Sequence, residues 1–340
     1  MLESNVEGVE QSVSTGTLPE WERVDSLVVA SHERNRACRD GAVADYIPVL
    51  ARADPELFGI CVVEVDGGVH VAGQAEVEFS IQSISKAFVY ALVCEEYGHA
   101  AVADLVGVNN TGLAFNSVMA IELNDGHPMN PMVNAGALAT TALMPGSTPE
   151  EQWKAVQSGL SAFAGRALEV DEEVYQSEAA TNTRNRAIAG LLESYGRIDR
   201  DPQQVVDVYT RQCSLRVSAR DLALMGATLA DGGVNPVTGQ RVVSADVCRD
   251  TLAVLAANGL YERSGEWLFE IGLPGKSGVS GGLLTVSPGK AGIGAFSPRL
   301  DRAGNSVRGQ QATAYLSRVL GLNIFASQAY APQAGSAGAR

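Results

Sequence analysis

The chain has 340 residues, room for one large domain or two, and a mean hydropathy of +0.03 that suits a globular protein with a packed core. A formal net charge of −14 and a pI near 4.8 give an anionic surface, which argues against nucleic-acid partners. No apolar run approaches the roughly 18 residues that a membrane span needs, and the acidic start "MLESNVEGVEQSVS" has no apolar stretch of a secretion signal, so a cytoplasmic protein is expected.

In chain order, residues 1–18 read as a loose tail and 19–37 as an amphipathic helix. "FGICVVEVDGGVHVAG" reads as two strands joined at Asp66-Gly67-Gly68, a hairpin signal. "EVEFS" is strand-like. After "FSIQS" the period turns helical, with Ile84, Phe88, Ala91 and Leu92 on one face. From about 95 to 255 the pattern is helix and loop. There "SARDLALMGATLADGG" opens on a capping box, Ser218 with Asp221, and closes on Gly232-Gly233. "GLLTVSPGKAGIGAFS" reads as two more strands and "NSVRGQQATAYLSRVL" as a last helix. Residues 326–340 read as a disordered tail. Strands near both ends with helices between them predict an α+β fold. It has an antiparallel sheet built from both chain ends and flanked by helices, plus an all-helical lobe. The sheet lobe is expected over about 19–94 and 256–325, the helical lobe over about 95–255, with a site in the cleft between them.

Ser83 and Lys86 stand three apart, so on a helix they share a face. At the start of that helix, free N–H groups and the positive end of the helix dipole favour a developing oxyanion. A desolvated lysine beside the serine can take its proton. S-x-x-K is also a common tetrapeptide, and a serine before a helix is usually only a cap. A second lysine, in Lys276-Ser277-Gly278, returns just before the C-terminal strands. Together the two elements match the S-x-x-K and K-T-G pair of penicillin-recognising serine enzymes, but their S-D-N tripeptide is absent.

Other motifs lead nowhere. "GVSGG" fits a nucleophile elbow at Ser280, but a strand pattern follows where the elbow needs a helix. "LPGKSG" lacks the first glycine of a phosphate-binding loop, and "GKAGIG" sits in a strand pattern. The five cysteines (Cys38, Cys61, Cys94, Cys213, Cys248) are scattered without C-x-x-C. The histidines (His32, His70, His99, His127) have no ligand spacing, so no metal or organic cofactor is expected.

More closely, the chain resembles the serine-dependent glutaminases, which have the β-lactamase-like fold. The resemblance rests on "VADYIPVLA" (43–51), "FSIQSISKAF" (79–88), "NPMVNAGAL" (130–138) and "SEAATNTRNRAIA" (177–189). It continues through "YTRQCS" (209–214), "NGLYERSGEW" (258–267) and "GLPGKSGVSGG" (272–282), covering roughly residues 20–325. It implies an amidohydrolase that converts L-glutamine to L-glutamate and ammonia. By position it implies Ser83 as nucleophile, Lys86 as its activating partner, and Tyr46 and Tyr261 as active-site tyrosines. Which tyrosine is the base stays open. It further implies Asn134, Glu178, Asn185 and Tyr209 as substrate contacts. Val279 would lend its N–H, with that of Ser83, to an oxyanion hole. A homodimer or homotetramer is typical of the family. The rival reading is a penicillin-recognising serine hydrolase: β-lactamase, peptidase or esterase. Since lysine and tyrosine ordinarily titrate near 10, a base role at neutral pH needs both groups brought down, by burial or by Lys86 and Lys276 lying close together.

Overall fold

The computed structural model describes residues 16–45 and 47–327. Both expected tails fall largely outside them. The first helix, α1 (Trp21–Asn35), is followed by the hairpin β1 (Gly59–Glu64) and β2 (Val69–Gly73), then by β3 (Phe79–Ser80). The helical run comprises α2 (Ser85–Tyr97), α3 (His99–Ala103), α4 (Met119–Glu122), α5 (Asn134–Leu143), α6 (Pro149–Ala164), α7 (Glu172–Thr181), α8 (Thr183–Ser194) and α9 (Pro202–Cys213). After β4 (Arg216–Val217) come α10 (Ala219–Ala230), α11 (Ala245–Asn258) and α12 (Ser264–Glu270). Strands β5 (Gly275–Ser277), β6 (Gly282–Ser287) and β7 (Ala291–Phe296) and the helix α13 (Val307–Val319) complete the chain.

The main sheet is five-stranded and antiparallel, in the order β2-β1-β7-β6-β5. Its centre joins the two chain ends, with Gly59 opposite Phe296 and Glu64 opposite Ala291. The fold class read from the sequence is therefore the observed one. Both faces are covered, which is why β6 and β7 are buried along their whole length. Ile60, Val62, Leu283 and Ile293 face α1, α12 and α13. Cys61, Val63, Leu284 and Val286 face the larger core built with α2, α6, α10 and α11.

The glycines of "GKAGIG" acquire a packing reason. A Cβ at Gly292 would lie 2.1 Å from the Ala223 carbonyl oxygen, and one at Gly294 would lie 1.9 Å from that of Ala219. Helix α10 rests directly on the backbone of β7, which only glycine permits. This helix carries the expected capping box of Ser218 and Asp221. The sequence reading missed the small second sheet. There β3 pairs with β4, Phe79 opposite Val217 and Ser80 opposite Arg216. Two-residue strands are too short to leave a periodic signal.

Candidate active site

Ser83 sits one step earlier than the sequence reading put it. It lies in a 3-10 turn, Gln82–Ile84, that leads into α2 at Ser85. The turn is held from several sides. The Ile81 N–H donates to the Leu215 carbonyl at 2.8 Å, and the Ser280 hydroxyl donates to the Ser80 carbonyl at 2.7 Å. Phe79 stacks on Phe296 with centroids 4.1 Å apart. Ser280 is thus a buried tether, and the chain after it runs into β6, as the rejection of an elbow there requires.

Among the described residues only Gln82, Asp125 and Tyr261 have positive φ without being glycine, at 53°, 50° and 56°. Two of these adjoin Ser83. Gln82 precedes it, and Tyr261 shares a hydrogen bond with its side chain. Strained backbone held by its surroundings is a common mark of functional sites. The Tyr261 turn is fixed by Ser264, whose hydroxyl accepts from the Leu260 N–H at 3.0 Å and donates to the Tyr261 carbonyl at 2.9 Å.

Lys86 is completely buried. Its Nζ donates to the Met132 carbonyl at 3.1 Å and to Asn134 Oδ1 at 2.7 Å. The motif "NPMVNAG" builds that receptor. Asn130 Oδ1 accepts from the Met132 and Val133 N–H groups at 3.0 and 3.2 Å, folding the turn. Gly136 lets the turn close, since a Cβ there would lie 2.0 Å from the Asn130 carbonyl oxygen. Asn134 Nδ2 in turn donates to Asn185 Oδ1 at 2.9 Å. The lysine so fixes both amide orientations, and the Asn185 amide nitrogen keeps its donors for a ligand.

Lys276, also fully buried, donates to the Gly259 carbonyl at 3.0 Å and the Ser277 carbonyl at 2.9 Å. The Tyr261 hydroxyl donates to the same Ser277 carbonyl at 3.2 Å, and the Lys276 Nζ lies 4.5 Å from the centre of its ring. The Ser83 side chain also interacts with the Tyr261 phenol. Burial brings Lys86 down to about 8. It brings Lys276 well below its usual range, with the charge of Lys86 pushing the same way. Tyr261 moves opposite to the sequence expectation. Burial pushes its phenol well up, and the bond to Ser83 only partly offsets this, because a phenolate there would lose its water.

Ser83, Asn134, Glu178, Asn185, Tyr209 and Val279 line one cavity of about 180 Å³. Tyr261 lines the neighbouring cavity behind Phe115. Tyr46 lies outside the described residues. Glu178 on α7 accepts a short hydrogen bond from Gln82 Nε2, and burial lifts its carboxyl to about 7 against that bond's pull. Tyr209 on α9 is buried, and burial raises its phenol well above 10. The N–H groups of Ser83 and Val279 meet no acceptor among the described residues. Sequence reasoning missed Gln82, Phe115 and Arg184, which also line the cavity. Adjacency to Ser83 was the available signal for Gln82, and adjacency to Asn185 for Arg184; Phe115 carried none. The described residues contain no cluster of three metal-ligating side chains, and no helix long and apolar enough to cross a membrane.

The chain is similar to known proteins over most of its length. The Glutaminase family model matches residues 41–325. Glutaminase 2 of Yersinia pestis is 55% identical over 323 residues, covering 95% of each chain. The glutaminase of Mycobacterium ulcerans is 49% identical over 303 residues, covering 89% of this chain and 95% of its own. Among solved structures, probable glutaminase ybaS superposes with a TM-score of 0.89 at 46% identity, covering 90% of this chain and 99% of that one. Mglu in its glutamate form gives 0.84 at 41% identity, covering 92% of this chain and 71% of that one.

Proposed function

The chain belongs to the glutaminase family, and we propose that Ser83 is the nucleophile with which it hydrolyses the side-chain amide of L-glutamine to L-glutamate and ammonia. The observation that carries the assignment is the junction at Ser83. Its side chain interacts with Tyr261, its N–H and that of Val279 meet no acceptor among the described residues, and a buried lysine stands three residues on.

The Ser83 oxygen attacks the carboxamide carbon of glutamine and passes its proton to Tyr261. A standing phenolate is disfavoured at a phenol pushed up by burial, so Tyr261 serves as a relay: as its oxygen takes the Ser83 proton, its own proton leaves the Ser277 carbonyl and passes to Lys86. Lys86 is the sink. As a neutral amine it has two N–H bonds, matched by Met132 and Asn134, and one lone pair left for a proton. The N–H groups of Ser83 and Val279 hold the tetrahedral oxyanion; one such donor is worth roughly 3–4 kcal/mol. The proton returns to the leaving nitrogen, and ammonia departs. Water then cleaves the glutamyl ester along the same path.

Glu178 pairs with the α-ammonium of the substrate. Asn134, Asn185 and Tyr209 donate to the α-carboxylate. Buried polar groups that each need a partner reject analogues that leave one unpaired. Tyr46 enters this reading by sequence position alone. No metal or organic cofactor has a part in it. The reading includes a division into lobes near residues 95 and 255, a cytoplasmic location and a homodimer or homotetramer.

Ammonia release from L-glutamine by the wild type and by Ser83→Ala tests the assignment. Loss by roughly 10⁴-fold or more is expected. A mutant that keeps a tenth of the rate would remove Ser83 from the role.

A further inference from the structure

Tyr261 carries a left-handed backbone, φ 56°, at a bulky residue, and such a conformation persists only where its surroundings hold it. Ser264 holds it from within. A second hold comes from a distant segment, the turn 301–305 that follows β7. There the Asp301 carboxylate gathers four donors. Its Oδ1 accepts from the Ala303 N–H at 2.9 Å and the Asn305 N–H at 3.0 Å. Its Oδ2 accepts from Arg263 Nη1 and from Gln310 Nε2, each at 3.1 Å. Two backbone bonds close the same turn: the Asp301 N–H donates to the Asn305 carbonyl at 2.8 Å, and the Gly304 N–H to the Asp301 carbonyl at 3.1 Å. One carboxylate oxygen thus shapes the turn and the other ties it outward. Gln310 leads to α13. Arg263 leads to the 3-10 turn Tyr261–Arg263, and its Nε also donates to Glu266 on α12 at 2.6 Å.

The turn so shaped lies against the reaction centre at three points. A Cβ at Gly304 would be 3.6 Å from both the Tyr261 ring and the Val279 side chain. The Ser277 hydroxyl lies 3.5 Å from the Gly304 carbonyl, and it is the Ser277 carbonyl that accepts from Tyr261 and Lys276. Asp301 itself is absent from the wall of the substrate cavity. We propose that Asp301 is a positioning residue for the reaction, which through its bond to Arg263 sets the Tyr261 hydroxyl in line with Ser83. The proposal rests on the Tyr261 relay described above. The negative charge of Asp301 also favours the protonated phenol, as does that of Glu262, which is the form a relay needs. A relay works only at the right distance and angle, so a small displacement of the Tyr261 turn slows the reacting step and leaves substrate binding on Glu178 and Asn185 unchanged.

The test is steady-state ammonia release from L-glutamine by a set of full-length variants, each measured well below its melting temperature. Asp301→Asn keeps an oxygen for the two turn amides and gives up the acceptor of Arg263. It should lower kcat roughly five- to tenfold with KM within about twofold. Arg263→Met cuts the same tie from the other end and should match it, and the double variant should be no slower than either single one. Gln310→Met frees the same oxygen on the α13 side and should keep kcat within about twofold. Wild-type kcat in both Asp301→Asn and Arg263→Met overturns the proposal, and so do losses that multiply in the double variant. A loss in Gln310→Met equal to that in Asp301→Asn reduces Asp301 to a support of its own turn and overturns it too, as does a rise in KM with kcat preserved. Should Asp301→Asn fail to fold, Arg263→Met, at a half-exposed side chain, decides alone. Tyr261→Phe separates this proposal from the reading beneath it. If that variant keeps the wild-type rate, the relay falls and the positioning with it. If it loses the rate, the relay stands, and Asp301→Asn added to it should slow it by less than about twofold; a full further loss overturns the role of Asp301 alone.

Discussion

Ser83 and Lys86 are set at the entry to α2, Tyr261 on the turn between α11 and α12, and Lys276 on β5, and both lysines are wholly buried. Glu178 and Asn185 sit instead on α7 and α8, partly open to solvent. The first group is pinned by backbone carbonyls and by β-ladders, the second by single side-chain bonds to Gln82 and Asn134. Burial acts on both, but to different ends. It lowers the lysines toward neutrality, so that one can accept a proton. It raises Glu178 toward neutrality too; in the proposed reading the ammonium of an arriving substrate restores its charge. In the proposed reading, chemistry has a buried frame and recognition a more exposed rim.

Lys86→Met should break the frame most deeply, lowering kcat by about 10³-fold, within the range general base catalysis supplies. The same variant sharpens the electrostatic half of the comparison. The gap between an ordinary 10.5 and about 8 corresponds to about 3 kcal/mol of cost for keeping that site charged. Between those pH values the unfolded chain binds more protons than the folded one. Wild-type stability from this residue therefore rises with pH across that window, and below it the full cost applies. The methionine variant should gain thermal stability relative to wild type at pH 7 and lose that advantage by pH 10.5. The wild-type kcat should rise as pH passes through about 8; a peak near pH 5 would contradict a lysine sink.

Glu178→Gln acts on the rim. It removes the proposed partner of the ammonium and should raise KM by roughly 10–100-fold, the worth of a hydrogen bond to a charged group, with a smaller change in kcat. In the wild type KM should rise as pH falls through about 7, where Glu178 takes up its proton. The variant should show no such rise. A variant that lost kcat alone would place Glu178 among the reacting groups and dissolve the distinction.

Much of this was legible in the sequence. The hairpin at Asp66-Gly67-Gly68, the capping box at Ser218 and the strands at both chain ends were local patterns, and local patterns survive folding. That one antiparallel sheet joins both chain ends followed from them, because a helical block between strands leaves the chain ends to pair. What was hidden depended on contacts distant in the chain. The β3–β4 pair unites residues near 80 and 216 and is too short for any period. Phe115 lies in a loop with no motif. The upward push on Tyr261 arises from the completeness of its burial, which no residue pattern encodes. The S-x-x-K pair was visible, but not that Lys86 would be held by Met132 and Asn134 rather than left free.

The smallest effect is expected at Ser280, the serine of the false elbow. Ser280→Ala removes one buried hydrogen bond to the Ser80 carbonyl and should cost about 1 kcal/mol of stability in a denaturant titration, with activity within about threefold.

The most direct test is to quench the wild type in acid during turnover of L-glutamine and map the adduct by peptide mass spectrometry. The account predicts one glutamyl group on the peptide carrying Ser83, absent from Ser83→Ala. A glutamyl group on any other residue, or turnover with direct transfer to water and no adduct at any quench time, would contradict it.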